Sequence, residues 1–369
     1  MAGVLTAVEQ AAPGWLTELL RERGVLGRGR VVGVESRAST AWNSFSYHLE
    51  VRYSEDAPEE APRRLFLKMS REPEWGREEV LFYRVVREEG AEARLPMLVP
   101  CYDAVYSEED GNSHLLLADL SDTHLTPITK PQLLAGDTMP SERHLEQMVD
   151  AIAEFHAYWW EHPRLGREFA IRRWFDGEAG YREHTERRRR EWALFREQAG
   201  HLVGAEVRDL YERVLSQFPA LWDRYLAERF GPMRGVTLSE GDCYFIQFLC
   251  PRGAEGDRAY LIDFDSASAN LPAYDLVYMF PAFWTREQRG EGGREEGLLR
   301  RYHRGLVAHG VPAYGWEDLL RDYRLCVLYM IFDPVWDQTS GASEAYWLPK
   351  LRCLTGAFVD LDCFSLLAG

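Results

Sequence analysis

The sequence predicts an α+β chain in two lobes, a small antiparallel sheet with one main helix followed by a larger, mainly helical half. Three observations carry this. Strand-like runs fill the first third, the apolar spacing changes to three and four residues from position 141, and 369 residues exceed what one core usually holds, since cores divide at about 250 to 300 residues. Hydrophobic residues at 46% and aromatics at 13% are ample for that much interior. A net charge of −16 argues against a general nucleic-acid binder, whose affinity comes from basic side chains on phosphates. The acidic balance is compatible with a cationic small substrate, but solubility alone is the favoured explanation. Cysteines at 101, 243, 250, 326, 353 and 363 form no Cys-x-x-Cys pair and read as small buried thiols in a reducing compartment. Residues 1–12 lack a basic start before an apolar block, and no apolar run reaches membrane-spanning length, so the expectation is a cytoplasmic chain without a membrane partner.

In chain order, Pro13 to Leu20 opens a short helix whose Trp15, Leu16, Leu19 and Leu20 share one side before Gly24 ends it. Residues 30–36, 45–53 and 64–69 are β-leaning, with a solvated hairpin loop at 54–62. Lys68 interrupts the apolar run Leu65-Phe66-Leu67-Lys68-Met69, where a charge is costly unless it is paired, faces a ligand, or snorkels from an edge strand. Its partner is sought on the following helix, 77–86. Runs at 100–106 and 114–120 complete the sheet as a hairpin.

From 141 the pattern is helical. Leu145, Met148, Val149, Ile152, Phe155 and Trp159 form a stripe behind a Ser141 cap, with His156 read as a packed, hydrogen-bonded histidine. The run Arg187 to Arg190 lies among glutamates, and reads as a solvated helix with i,i+4 ion pairs rather than a nucleic-acid patch. Residues 207–226 repeat the helical pattern despite Pro219, Arg286 to Gly297 reads as a charged surface loop, and helices resume near 292–309 and 316–332. Phe332 to Gln338 breaks the pattern with an aromatic between acids.

Within 236–280, apolar runs at 244–250 and 259–264 read as two strands joined by a hairpin loop. Asp242 precedes the first and Asp263 closes the second, so antiparallel pairing brings both acids to one end of the ribbon. Phosphoryl transfer needs such an arrangement: one carboxylate orients or deprotonates the attacking hydroxyl, and another holds the magnesium that bridges ATP phosphates. Gln247 can add a neutral oxygen for metal.

Glu240-Gly241-Asp242 followed by Gln247, then Ile262-Asp263-Phe264-Asp265, then Asp275-Leu276, resembles the catalytic segment of the aminoglycoside phosphotransferase and choline kinase-like superfamily, which has the protein kinase-like fold. In that superfamily the pattern is His-Gly-Asp, four residues, Asn, an Asp-centred metal motif and a later Asp-Leu. Glu240 and Gln247 depart from it. The resemblance spans nearly the whole chain and implies a nucleotide-binding lobe at 1–117, a crossing at 118–124, and a lobe at 125–369 with catalytic loop, metal site and acceptor pocket. It selects Glu79 as the partner of Lys68, holding the ammonium against ATP phosphates. It places the phosphate-covering turn at 38–44, where Ser39, Thr40 and Ser44 can donate hydrogen bonds although glycine is missing, and meets adenine with backbone groups near 117–120, Asp119 among them. Asp242 is then the catalytic residue, Asp263 and Gln247 the magnesium ligands, and Asp265 either a second-metal ligand or solvent-facing. Asp275 braces the catalytic loop by capping the helix that starts at Leu276. Trp159, Trp160, Trp284, Trp336 and Asp337 are candidates to line the acceptor pocket.

The implied activity is ATP and magnesium dependent phosphotransfer to a hydroxyl of a small molecule, antibiotic-like or metabolite-like. The departures at 240 and 247 leave open a kinase-like protein that binds nucleotide or another ligand without transfer, or one repurposed for another reaction.

Overall fold

The strand-like runs of the first third form one antiparallel sheet, and the change of period marks the onset of helices, as the α+β assignment requires. The structure is a computed structural model and describes residues 3–39, 44–136, 138–169, 177–253 and 258–368. The chain divides into two units, Met1–Leu125 with Leu249–Ala267, and Thr126–Phe248 with Ser268–Gly369. The short segment bearing Asp263 thus belongs with the N-terminal sheet.

In the first unit, α1 (Pro13–Glu22) starts with proline, whose missing N–H has no partner in a first turn anyway. It ends at Arg23, followed by Gly24 at φ +69°. Thr17 Oγ1 accepts the Val31 N–H at 2.9 Å, tying this helix to the sheet. Strands β1 (Val31–Ser39), β2 (Ser44–Tyr53), β3 (Arg64–Ser70), β4 (Cys101–Tyr106) and β5 (Ser113–Ala118) lie in the order β1-β2-β3-β5-β4. Along β3, Leu65, Leu67 and Met69 point into a core shared with Leu16, Leu20, Leu49 and Leu116. Period-two alternation therefore sends Lys68 to the opposite face. Because Lys68 is opposite Ser46 on β2 and Leu115 on β5, it sits on a central strand, which excludes the edge-strand reading. Helix α2 (Arg77–Glu88) begins after Gly76, whose φ of +76° and approach to Ser113 Oγ leave no room for a β-carbon. A small three-stranded sheet of His124–Leu125, Phe248–Pro251 and Tyr260–Leu261 carries the chain to Asp263. The expected strand at 244–250 starts later than its apolar pattern suggests. Tyr244 N–H turns back to the Asp242 carbonyl at 2.9 Å, and Phe245–Gln247 form a 3-10 turn.

The second unit is helical. After α3 (Lys130–Ala135), α4 (Glu142–Tyr158) is capped by Ser141, whose hydroxyl accepts the His144 N–H. Its stripe from Leu145 to Phe155 is buried as spaced. Helix α5 (Gly177–Ala199) carries the arginine run, with Arg187 and Arg188 paired to Glu191 and Arg189 to Glu186. Arg189 also does structural work beyond a solvated ion pair. Pro219 inside α6 (Ala205–Leu221) deprives the Leu215 carbonyl of its N–H, and Arg189 Nη2 donates to that oxygen at 2.7 Å. A π-turn at Trp222–Leu226 and α7 (Ala227–Phe230) follow.

Beyond α8 (Tyr274–Met279), the expected surface loop at 286–297 is instead helical, as α9 (Arg286–Gly290) and the start of α10 (Arg294–Ala308). A Thr285/Gln288 capping box starts α9, and Arg289, only 4% exposed, is held by Glu295 and Asp360. After α11 (Trp316–Met330), the acid-and-aromatic stretch expected to break the pattern forms the short α12 (Asp333–Thr339), since Pro334 falls in its first turn. Helix α13 (Glu344–Asp360) completes the unit.

Helices α4 and α10 approach closely where Gly305 faces Ala153. A β-carbon at 305 would lie 2.6 Å from the Ala153 methyl. Gly305→Ala is therefore expected to lower stability by about 1–3 kcal/mol through overpacking, although alanine is the better helix former by about 1 kcal/mol. Urea denaturation reads the sign directly, and a stabilised variant would contradict the packing.

Candidate active site

In the first unit, β3 presents Lys68 and the first turn of α2 presents Glu79, which is 1% exposed. The Lys68 ammonium donates to Glu79 Oε2 at 2.5 Å and to Asp263 Oδ1 at 2.7 Å. Burial alone would depress the lysine pKa, but Asp263, Glu79 and Asp265 lift it well above the ordinary value. Burial in turn pushes Glu79 up to about 7 against the pull of Lys68, and the charges of Asp263 and Asp265 add to the rise. Burial and Asp263 likewise raise Asp265, with Lys68 opposing.

Two features fix Asp263. Its backbone is left-handed at φ 68°, ψ 59°, a conformation that aspartate enters more readily than most side chains. The next ring, Phe264, stacks on Phe82 of α2 at 3.8 Å between centroids and 15° between planes. One aromatic contact thus positions the helix that carries Glu79 and the turn that carries Asp263. Carboxylate oxygens of Glu79, Asp263 and Asp265 lie within 4.8 Å of one another. Hard oxygen donors of this kind suit a divalent cation, although Glu79 Oε2 and Asp263 Oδ1 already accept from the Lys68 ammonium.

Beside this set lies a recess lined by Ser44, Lys68, Ser70, Gly76, Ser113 and Asp265, among others. Ser44 is buried, with its hydroxyl 2.8 Å from that of Ser46. Ser39 ends β1, half-exposed, and Thr40 lies outside the described residues. The Asp119 carboxylate is engaged locally by His48 at 2.8 Å, Arg64 at 3.2 Å and the Ser121 N–H at 2.9 Å. Burial would raise its pKa, but hydrogen bonds from Ser121 and His48 hold it at about 2.

In the second unit, a two-stranded ladder of Thr237–Ser239 with Ser268–Asn270 leads into the Glu240-Gly241-Asp242 turn. Gly241 has φ +93° there, a conformation only glycine enters freely. Asp275 braces the turn, though not by capping a helix as expected: it lies inside the first turn of α8. Its fully buried carboxylate accepts Glu240 N–H at 2.7 Å and Gly241 N–H at 3.0 Å. His156 Nε2 joins it at 3.0 Å while Nδ1 meets the Tyr302 hydroxyl at 2.7 Å, so the histidine is a packed and bonded one. Glu240, where histidine is usual, is fully buried, and its carboxylate accepts the Asp242 N–H at 3.0 Å. Gln247, 6% exposed, closes the following 3-10 turn. Glu240, Cys243 and Asp275 also converge within 4.8 Å, but both Asp275 oxygens already accept backbone N–H groups.

Of the tryptophans expected to line an acceptor pocket, Trp159 and Trp284 are core residues. Trp159 has no exposure and lies edge-on to Phe169 and His162, while Trp284 stacks between Phe245 and Phe280. Trp160 lies against Tyr314, and Trp336 is 52% exposed. Asp337 is buried and paired at 3.1 Å with Lys350, a residue the sequence reading did not single out.

Among the described residues, no helix is long and apolar enough to cross a membrane. Compared by sequence with curated proteins, the chain matches none. Among solved structures it is similar to an ethanolamine kinase of Plasmodium vivax at 10% identity, covering 90% of this chain and 84% of that one, with a TM-score of 0.48. A choline kinase of Streptococcus pneumoniae aligns at 14% identity over 96% of this chain and 98% of that one, with a TM-score of 0.45. A glucosamine kinase aligns at 16% identity over 99% and 87%, with a TM-score of 0.43. By sequence, residues 77–310 match the ecdysteroid kinase-like family, well over half of the 369 residues, and the chain belongs to that family and with it to the kinase-like superfamily that its catalytic segment resembles.

Proposed function

We propose that the protein is an ATP and magnesium dependent phosphotransferase acting on a hydroxyl of a small molecule. The observation that carries this reading is the Lys68 ammonium held on a central strand between Glu79 and Asp263, with Asp265 beside them. A cation so placed is fixed where nucleotide phosphates need one, and Lys68 steadies them. Asp263, with Glu79 and Asp265 close by, would hold magnesium, which supplies charge neutralisation on the phosphates. Asp242 accepts or orients the proton of the attacking hydroxyl, and Asp275 holds the turn that carries it.

The competing reading is a protein that binds nucleotide without turnover. It draws on Glu240, whose buried carboxylate bonds to the Asp242 N–H in the place of a histidine. Magnesium-dependent ATP consumption across a panel of hydroxyl-bearing acceptors separates the two. Turnover that falls about 10²–10³-fold in Lys68→Met is expected, by analogy with removal of one preorganised charge-stabilising donor. Nucleotide binding with no turnover on any acceptor would favour the second reading.

A further inference from the structure

The reaction as proposed leaves a buried cation unused. Lys350 lies on α13, 2% exposed, and Trp347, Leu348 and Leu351 of the same helix are buried as well. Its ammonium is 3.1 Å from Asp337 Oδ2 and 3.4 Å from the Tyr278 hydroxyl. It also stands 4.8 Å from the centroid of the Tyr278 ring and 5.7 Å from that of Tyr346. A carboxylate together with aromatic faces is the chemistry that recognises ammonium groups.

This cage adjoins the turn that carries Asp242. Tyr278 is 6.0 Å from Tyr244, centroid to centroid, and Tyr244 N–H bonds the Asp242 carbonyl. Burial raises the Asp337 pKa, Lys350 lowers it, and the charges of Asp333 and Asp242 raise it further. Tyr346 feels Asp242 as well. Burial would lower the lysine pKa, but Asp337 and Asp333 hold it above the ordinary value, so it stays charged through neutral pH.

We propose that Lys350 is a specificity-determining residue that fills this cation cage with the protein's own ammonium, so that the acceptor presents an uncharged oxygen-bearing group beside Asp242. A cationic acceptor would meet a positive charge where it needs a negative one. An ammonium has three N–H donors, and Asp337 and Tyr278 take two. No acceptor for the third is found among the described residues. This inference rests on the second unit binding the acceptor, as the proposed function has it, and it requires no turnover.

The test is therefore a binding measurement without nucleotide. Ligand-observed NMR would compare choline with its uncharged isostere 3,3-dimethylbutan-1-ol on the wild-type chain and on Lys350→Met, which keeps length and removes charge. The wild type is expected to bind the neutral compound at least ten-fold more tightly than choline, and Lys350→Met to reverse that order as Asp337 and the two rings become free for a cation. Choline bound as well as the isostere by the wild type, no binding of the isostere, or an unchanged order in folded Lys350→Met would each overturn the proposal. Should Lys350→Met fail to fold, the wild-type order decides, and Lys350→Arg is expected to keep it. A chain that discriminates as expected but never consumes ATP would retain this inference and lose the phosphotransfer reading.

Discussion

Asp242→Asn is expected to reduce kcat for acceptor-dependent ATP consumption by about 10²–10⁴-fold, the range for loss of a positioned general base. The substitution keeps size and shape and removes the capacity to take a proton. Its backbone is held on both sides: its N–H bonds Glu240 Oε2, and its carbonyl accepts the Tyr244 N–H. The turn should therefore survive, with stability within about 0.5 kcal/mol of wild type and the KM for ATP unchanged. Steady-state kinetics and urea denaturation on the same preparations check both halves. An Asn variant with wild-type kcat would remove Asp242 from the chemistry.

Asp275→Ala is expected to cost about 3–5 kcal/mol of stability, the range for removing one partner of a buried charged network. Three groups lose their acceptor at once: the Glu240 N–H, the Gly241 N–H and His156 Nε2. Each is buried, and an unsatisfied buried donor costs about 1–3 kcal/mol. Against a typical total of about 5–15 kcal/mol, this is a large fraction. The denaturant midpoint should fall with an unchanged slope. Asp275→Asn retains one acceptor oxygen and should fall between wild type and Ala. A midpoint shift worth under about 1 kcal/mol for Ala would mean that the turn is held by something else.

Where a charge breaks an otherwise apolar run, the sequence is readable. Lys68 stands out against Leu65, Leu67 and Met69, and the structure gives it the glutamate that the resemblance selected. The same signal exists at Lys350, between Pro349 and Leu351, yet no motif draws attention to it, and its partner Asp337 lies on another helix. Long-range pairing is the general obstacle. Glycines and charges made 286–297 read as a loop, because nothing local shows that Arg289 is neutralised by Asp360, 71 residues onward. The stretch at 244–250 misleads for the opposite reason: its apolar residues suit a strand, but one N–H turning back to the Asp242 carbonyl settles Phe245–Gln247 as a 3-10 turn. Tryptophan is ambiguous by nature, since a large ring suits core and pocket alike, and Trp159 and Trp284 went to the core.

The left-handed backbone at Asp263 limits how that codon can drift. Asparagine and glycine are the neighbours that inherit the shape, whereas valine or isoleucine would add roughly 1–2 kcal/mol of steric strain to the loss of the ion pair. A descendant that gave up the chemistry would thus still be filtered at this position for its dihedral angles, long after selection on its charge had ended.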